Sequence, residues 1–135
     1  MDNVLTETPW LGPLLWAALY ASDYSLTIAC ARLYASQDKI AFEGSYEITP
    51  FYQAEVDALR RLSPRFLLVW AGTSAYLVLL SSLARSWALE GIYAIALGAL
   101  ILIQLTIHVR HLRNLFLFRN TVLLWLARKR STEKL

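Results

Sequence analysis

The stretch FLLVWAGTSAYLVLLSSLA, from Phe66 to Ala84, decides the fold. It carries no formal charge over 19 residues, close to the roughly 20 needed to cross a hydrocarbon core about 30 Å thick. A second run, GIYAIALGALILIQLTIHV from Gly91 to Val109, holds only His108 as a titratable group. A third, WLGPLLWAALYASDYSLTIACARL from Trp10 to Leu33, is apolar at its start but carries Ser22, Asp23, Ser25 and Thr27 in its middle. A central Asp costs about 2.5 to 3.5 kcal/mol on insertion scales, which the surrounding Leu, Ile and Trp residues offset. The expected fold is an all-α membrane protein with three transmembrane helices, at about 10–33, 66–84 and 91–109, in one membrane domain.

The composition agrees. Of 135 residues, 57% are apolar and 17% charged, with a mean hydropathy of +0.43, whereas soluble domains are about a quarter charged. A disordered tail is excluded, and an ordinary soluble enzyme is not expected. The single cysteine, Cys30, excludes an intrachain disulfide and any site built on several thiolates. The leader MDNVLTETP has Asp2 and Glu7 but no basic residue, unlike a cleaved signal peptide.

Charge distribution sets the topology. Arg32, Lys39, Arg60, Arg61 and Arg65 border the first long loop, and seven basic residues from Arg110 to Lys134 follow the third run. With three crossings, twelve of the thirteen Lys and Arg share one side, and only Arg85 lies opposite. The positive-inside rule then puts the N-terminus outside and the C-terminus inside. Trp10 and Trp87 fall at the outer interface and Tyr34 at the inner one. The setting expected is the cytoplasmic (inner) membrane of a prokaryote. A net charge of +3 serves topology here, and no nucleic acid partner is implied.

The cytoplasmic loop, 35–64, is long enough to hold structure. Ile40 to Glu43 and Tyr46 to Thr49 flank Gly44-Ser45, which suits a hairpin turn. Thr49-Pro50 reads as an N-cap followed by proline at the first helical position, predicting a helix from Pro50 to about Leu62. Phe51, Tyr52, Val56, Leu59 and Leu62 would form its apolar side, with Glu55 elsewhere and Asp57 paired to Arg61. Ser63-Pro64 repeats the signal at the second span. In the basic tail, 110–135, the runs LFLF and VLLWLA are broken by Arg119-Asn120. The tail reads as a continuation of the third helix bending into the interface, with Arg128, Lys129 and Arg130 on lipid headgroups.

Asp23 is the residue most suggestive of function, because a carboxylate at that depth faces a bundle interior or a cavity. Its stripe, Trp16, Tyr20, Asp23, Thr27, Cys30 and Tyr34, is spaced by three or four and should face protein, with Leu14, Leu15, Leu19, Leu26 and Leu33 toward lipid. Equal counts inward from the outer interface bring Thr73, Ser74 and Tyr76 near Asp23, and His108 level with Cys30. His108, His111 and Cys30 are of the kinds that hold zinc or copper. Two histidines three apart among arginines fit a polar patch better, so no cofactor is expected. Gly91, Ala94 and Gly98 would let helices approach closely, as would Gly72, Ser74, Ser81 and Ser82.

No nucleotide-binding, hydrolase or zinc-protease motif is present. The function expected is a non-enzymatic accessory, assembly or anchoring subunit packing against itself or a larger membrane complex. Alternatives are a proton- or ion-linked component in which Asp23 titrates, and a small metal-binding membrane protein.

Overall fold

The computed structural model describes residues 8–35, 46–47 and 49–132. Among these residues four helices follow in order: α1 (Leu11–Ala35), α2 (Pro50–Asp57), α3 (Pro64–Ser86) and α4 (Glu90–Thr132). Three of them, α1, α3 and α4, are long and apolar enough to cross a membrane. Among the described residues there is no strand. Ile40 to Glu43 and the Gly44-Ser45 turn lie outside the described residues, as do the side chains of Arg128, Lys129 and Arg130.

The helix ends follow from local chemistry. At α3 the Phe66 N–H donates to Ser63 Oγ at 3.3 Å and Pro64 occupies the first turn, as the Ser63-Pro64 pair predicts. Thr49 behaves differently from the expectation. Its side chain makes no cap hydrogen bond; instead its N–H donates to the Glu47 carboxylate at 2.8 Å, while Thr49 C=O accepts from Tyr52 and Gln53.

α2 stops at Asp57, short of the expected Leu62, because Leu59 takes the left-handed conformation at φ 51°. Arg60 N–H then reaches Glu55 C=O at 3.1 Å and Leu59 N–H reaches Val56 C=O at 2.9 Å, closing a Schellman motif. Asp57 and Arg61 are therefore not one helical turn apart, and Arg60 pairs with Glu55 at 3.5 Å instead. Val56 is buried and Tyr52 and Leu59 are half-buried, so the middle of the expected apolar side is covered, while Phe51 and Leu62 at its ends are exposed and Glu55 is buried beside Val56.

The turn from α3 to α4 is built the same way. Ala88 has φ 53°, Leu89 N–H donates to Ala84 C=O at 2.8 Å, and α4 starts at once. So short a connection makes α3 and α4 antiparallel neighbours. α4 is one unbroken helix of 43 residues. No break in its hydrogen-bond ladder separates a tail from the third span, and after Gly98 it contains neither Gly nor Pro to bend it.

The chain divides into two compact units, to each of which α1 and α4 contribute. The first comprises the chain to Tyr24 and Leu62–His108; the second comprises Ser25–Arg61 and the chain from Val109. The core of the first unit is Trp16, Ala17, Leu77 and Leu97, with Tyr20, Trp70, Tyr93 and Ile101 packed against it. A Cβ on Gly12 would overlap the Cδ2 end of the Leu97 side chain, so a larger residue there requires Leu97 to move. Phe66 stacks on Tyr24 with centroids 4.2 Å apart and on Tyr20 at 5.8 Å. Trp70 Nε1–H donates to Ala17 C=O at 2.9 Å, and Tyr93 O–H to Leu77 C=O at 3.2 Å.

Candidate functional site

The second unit holds a polar cluster centred on His111, which is 2% exposed. On α1, Thr27 and Cys30 are one turn apart, both buried and both turned toward it. On α4, Asn114 is one turn further along, and Tyr46 reaches in from the loop. Asn114 Nδ2 donates to the Tyr46 hydroxyl at 3.2 Å, and that hydroxyl lies 2.9 Å from His111 Nδ1. His111 Nε2 is 3.1 Å from Thr27 Oγ1, and the Cys30 thiol donates to His111 C=O at 3.4 Å.

Burial, only partly opposed by the Asn114 hydrogen bond, pushes the Tyr46 phenol well above the ordinary tyrosine range, so it stays protonated. In the tautomer that lets Tyr46 donate to Nδ1, His111 donates from Nε2 to Thr27. Tyr34 and Phe118 close over the hydroxyl's ring, with centroids 6.2 Å and 6.1 Å from that of Tyr46. Tyr46 thus ties the loop to α1 and α4.

A second polar group lies in the first unit. His108 Nδ1–H donates to Gln104 C=O at 2.7 Å, and Nε2 is 2.5 Å from Ser22 Oγ. Ser22 Oγ also sits 2.9 Å from Leu19 C=O, so its one hydrogen has two acceptors in reach. Gln104 Oε1 is buried with no hydrogen-bond partner among the described residues, and Asp23 Oδ1 is likewise shielded from solvent.

The hydroxyls expected near Asp23 bond within their own helix. Thr73 Oγ1 donates to Val69 C=O at 2.5 Å and Ser74 Oγ to Trp70 C=O at 2.6 Å, each back onto its own helix. This is the usual fate of hydroxyls on apolar helices. Tyr76 is 58% exposed. Tyr20 stacks on Trp16 and on Phe66.

The equal-depth count fails for a definite reason. Gly12, two residues past Trp10, packs on Leu97, ten residues past Trp87. His108 accordingly meets Ser22, while Cys30 meets His111, one turn beyond the expected His108.

The ligand-type side chains are also engaged with other groups. Both ring nitrogens of each histidine face hydrogen-bonding partners, and the Cys30 thiol faces a carbonyl. Among the described residues, no three His, Cys, Asp or Glu side chains could together hold a metal ion. Gly91 and Gly98 have open space where a Cβ would stand, as does Gly72, so the close approach inside the chain is made by Gly12. Sequence reading missed Gly12, Tyr46 and Asn114. Gly12 carried a signal, a glycine one residue before proline at a helix start, whereas Tyr46 sits in a segment that reads as a strand.

No family model, no curated protein and no solved structure matches the chain.

Proposed function

We propose that this chain is an accessory, assembly or anchoring subunit of a prokaryotic cytoplasmic membrane, acting by holding its shape rather than by turning over a substrate. The observation that carries this reading is the His111 cluster. A histidine, a cysteine, a tyrosine, a threonine and an asparagine converge there, and their polar atoms meet one another. A satisfied buried network of this kind fixes one arrangement of the elements that contribute to it. It gives the loop a fixed attachment at Tyr46, as a docking platform requires.

The orientation in this reading has the N-terminus outside and the C-terminus inside, with the loop and basic tail cytoplasmic. Bilayer lipid covers the apolar faces of the spans, and other membrane subunits or a second copy complete the assembly. Purification of the tagged chain from native membranes after cross-linking, followed by mass spectrometry, tests it. A larger membrane protein recovered at fixed stoichiometry, or a defined self-assembly, supports the reading. A purified chain that catalyses a reaction or dissipates an ion gradient in liposomes would overturn it.

A second reading is favoured by the first unit's polar group. Asp23 there has a solvent-shielded carboxylate oxygen, and its chain neighbour Ser22 contacts His108. These are the parts of a proton- or ion-linked component. Asp23→Asn in liposomes would abolish gradient dissipation under this reading, and an inactive native chain sinks it.

A further inference from the structure

In the first unit one set of heavy-atom positions satisfies two protonation states of His108. Its Nδ1 lies 2.7 Å from Gln104 C=O, a group with lone pairs only, so Nδ1 carries a hydrogen in both states. Its Nε2 lies 2.5 Å from Ser22 Oγ, and two lone pairs do not approach so closely, so a hydrogen stands between them. That hydrogen has two sources. Ser22 donates it to a neutral imidazole, or an imidazolium donates it to Ser22.

The second arrangement requires another acceptor for the Ser22 hydrogen. Leu19 C=O, 2.9 Å from Ser22 Oγ, is that acceptor. Uptake of a proton at Nε2 therefore turns one O–H bond from Nε2 to Leu19 C=O and leaves the Gln104 bond in place. No heavy atom has to move.

The site lies where water can deliver a proton. His108 is half-buried and Ser22 exposed. At 1.5 Å per residue His108 stands about 27 Å along α4 from Glu90, close to the edge of a hydrocarbon core about 30 Å thick.

The charged side chains of the three packed helices favour this end for a cation. On α1 the residue after Ser22 is Asp23, the one acidic residue of that helix. On α3 the charged residues are Arg65 and Arg85, and Arg65, which precedes the Phe66 that stacks on Tyr20 and Tyr24, is exposed. On α4 Arg110 is exposed two residues further on, and Glu90 stands at the opposite end. The cations are thus in contact with solvent, where their repulsion is screened.

We propose that His108 is a proton-binding site, in which Nε2 takes the proton and the Ser22 hydroxyl exchanges the role of donor for that of acceptor. A hydronium ion at the membrane edge gives up the proton and leaves as water, and no bond between heavy atoms forms or breaks. Binding of this kind belongs to the chain at rest, so it goes beyond the ion-linked reading above, and its residue is His108 rather than Asp23.

Nitrogen NMR of the full chain, labelled at histidine and held in detergent micelles, tests the assignment. The resonances missing from His108→Gln identify the imidazole. At about pH 8 Nδ1 should carry the hydrogen and Nε2 none, and toward about pH 5 Nε2 should gain a proton while Nδ1 keeps its own. Ser22→Ala removes the acceptor of a charge-assisted bond and should weaken proton binding about five-fold. Ser22→Thr keeps the hydroxyl and should restore it. Helical content should stay unchanged in both variants, because Ser22 is exposed.

A hydrogen on Nε2 alone at about pH 8, no proton uptake down to about pH 5, or a Ser22→Ala chain that binds the proton as tightly as the native one overturns the inference. Proton uptake of the expected kind in a chain that dissipates no gradient in liposomes upholds it and sinks the ion-linked reading alone. A gradient dissipated by a chain whose His108 does not titrate does the reverse.

Discussion

The two units are held together by different kinds of force. The first is a shape-matched apolar core, with Gly12 seated on Leu97 and Phe66 stacked between two tyrosines. Its hydroxyl groups at Thr73, Ser74, Ser82 and Thr106 turn back on their own helices and link nothing. The second is gathered around a buried imidazole, with hydrogen bonds from α1, α4 and the loop meeting at His111.

The contrast follows from the surroundings each segment was composed for. Among lipid there is little hydrophobic drive between helices, so close fit has to supply association. A buried polar cluster is stabilising only when every member is satisfied, and removing one member exposes the others to a desolvation cost. Damage should therefore spread further in the second unit than in the first.

The largest expected effect is at His111. His111→Ala removes the partners of Thr27 and Tyr46 together and leaves buried polar atoms behind, costing about 3 kcal/mol. Unfolding in mixed micelles measures the cost, and trypsin cleavage at Arg60 and Arg61 should rise as the loop loses its attachment. An unchanged midpoint would mean that the cluster is not what holds this unit.

In the first unit the corresponding probe is Gly12→Val. Its added carbon atoms displace a Leu97 side chain that is itself 3% exposed, at a cost of about 2 kcal/mol. Here the loop should remain as protected as in the native chain. If Gly12→Val instead loosens the loop, the two units do not respond separately.

Tyr46→Phe isolates a single hydroxyl. It deletes the bond to His111 and the one accepted from Asn114 while keeping the ring between Tyr34 and Phe118, and about 1 kcal/mol should be lost. The same residue gives a pH signature. Its phenol is held above the ordinary 10.0 in the folded chain, so the unfolded chain releases that proton first. The folded state then binds more protons, and stability falls as pH rises through and above 10. Thermal unfolding in detergent between pH 8 and 11 should show this decline in the native chain, with a smaller decline in Tyr46→Phe. Equal declines would remove Tyr46 as its source.

How much of this was legible in the sequence depends on the range of the interaction involved. The spans were readable because crossing a bilayer demands a length and an absence of charge that composition records directly. Ser63-Pro64 was readable because a cap and its helix are neighbours in the chain. The inward side of α1 was readable at Trp16, Thr27 and Cys30, all now buried, because spacing by three and four fixes a face.

Partners across helices were not readable. Depth counting assumed that Trp10 and Trp87 begin at one level, and the Gly12–Leu97 contact shows a stagger of about two turns. Thr73 and Ser74 had a nearer acceptor on their own helix than any Asp could be. Tyr46 meets His111 across 65 residues of chain, and no local pattern announces such a pairing.

The smallest effect offers the finest comparison, because among the described residues each unit contains one non-glycine residue in the left-handed region. Leu59 and Ala88 have φ of 51° and 53°, and both stand at the same position of a Schellman motif. An L-residue there is disfavoured by about 1 to 2 kcal/mol, of which glycine recovers the larger part after its own entropy loss. Ala88 has only a methyl group to lose and is exposed, so Ala88→Gly should stabilise the chain by about 1 kcal/mol. Leu59 is half-buried, and removing its side chain forfeits apolar burial of about 1 kcal/mol. Leu59→Gly should therefore leave stability nearly unchanged although the backbone relief is the same. Equal gains at both positions would mean that the Leu59 side chain contributes nothing to the second unit's packing.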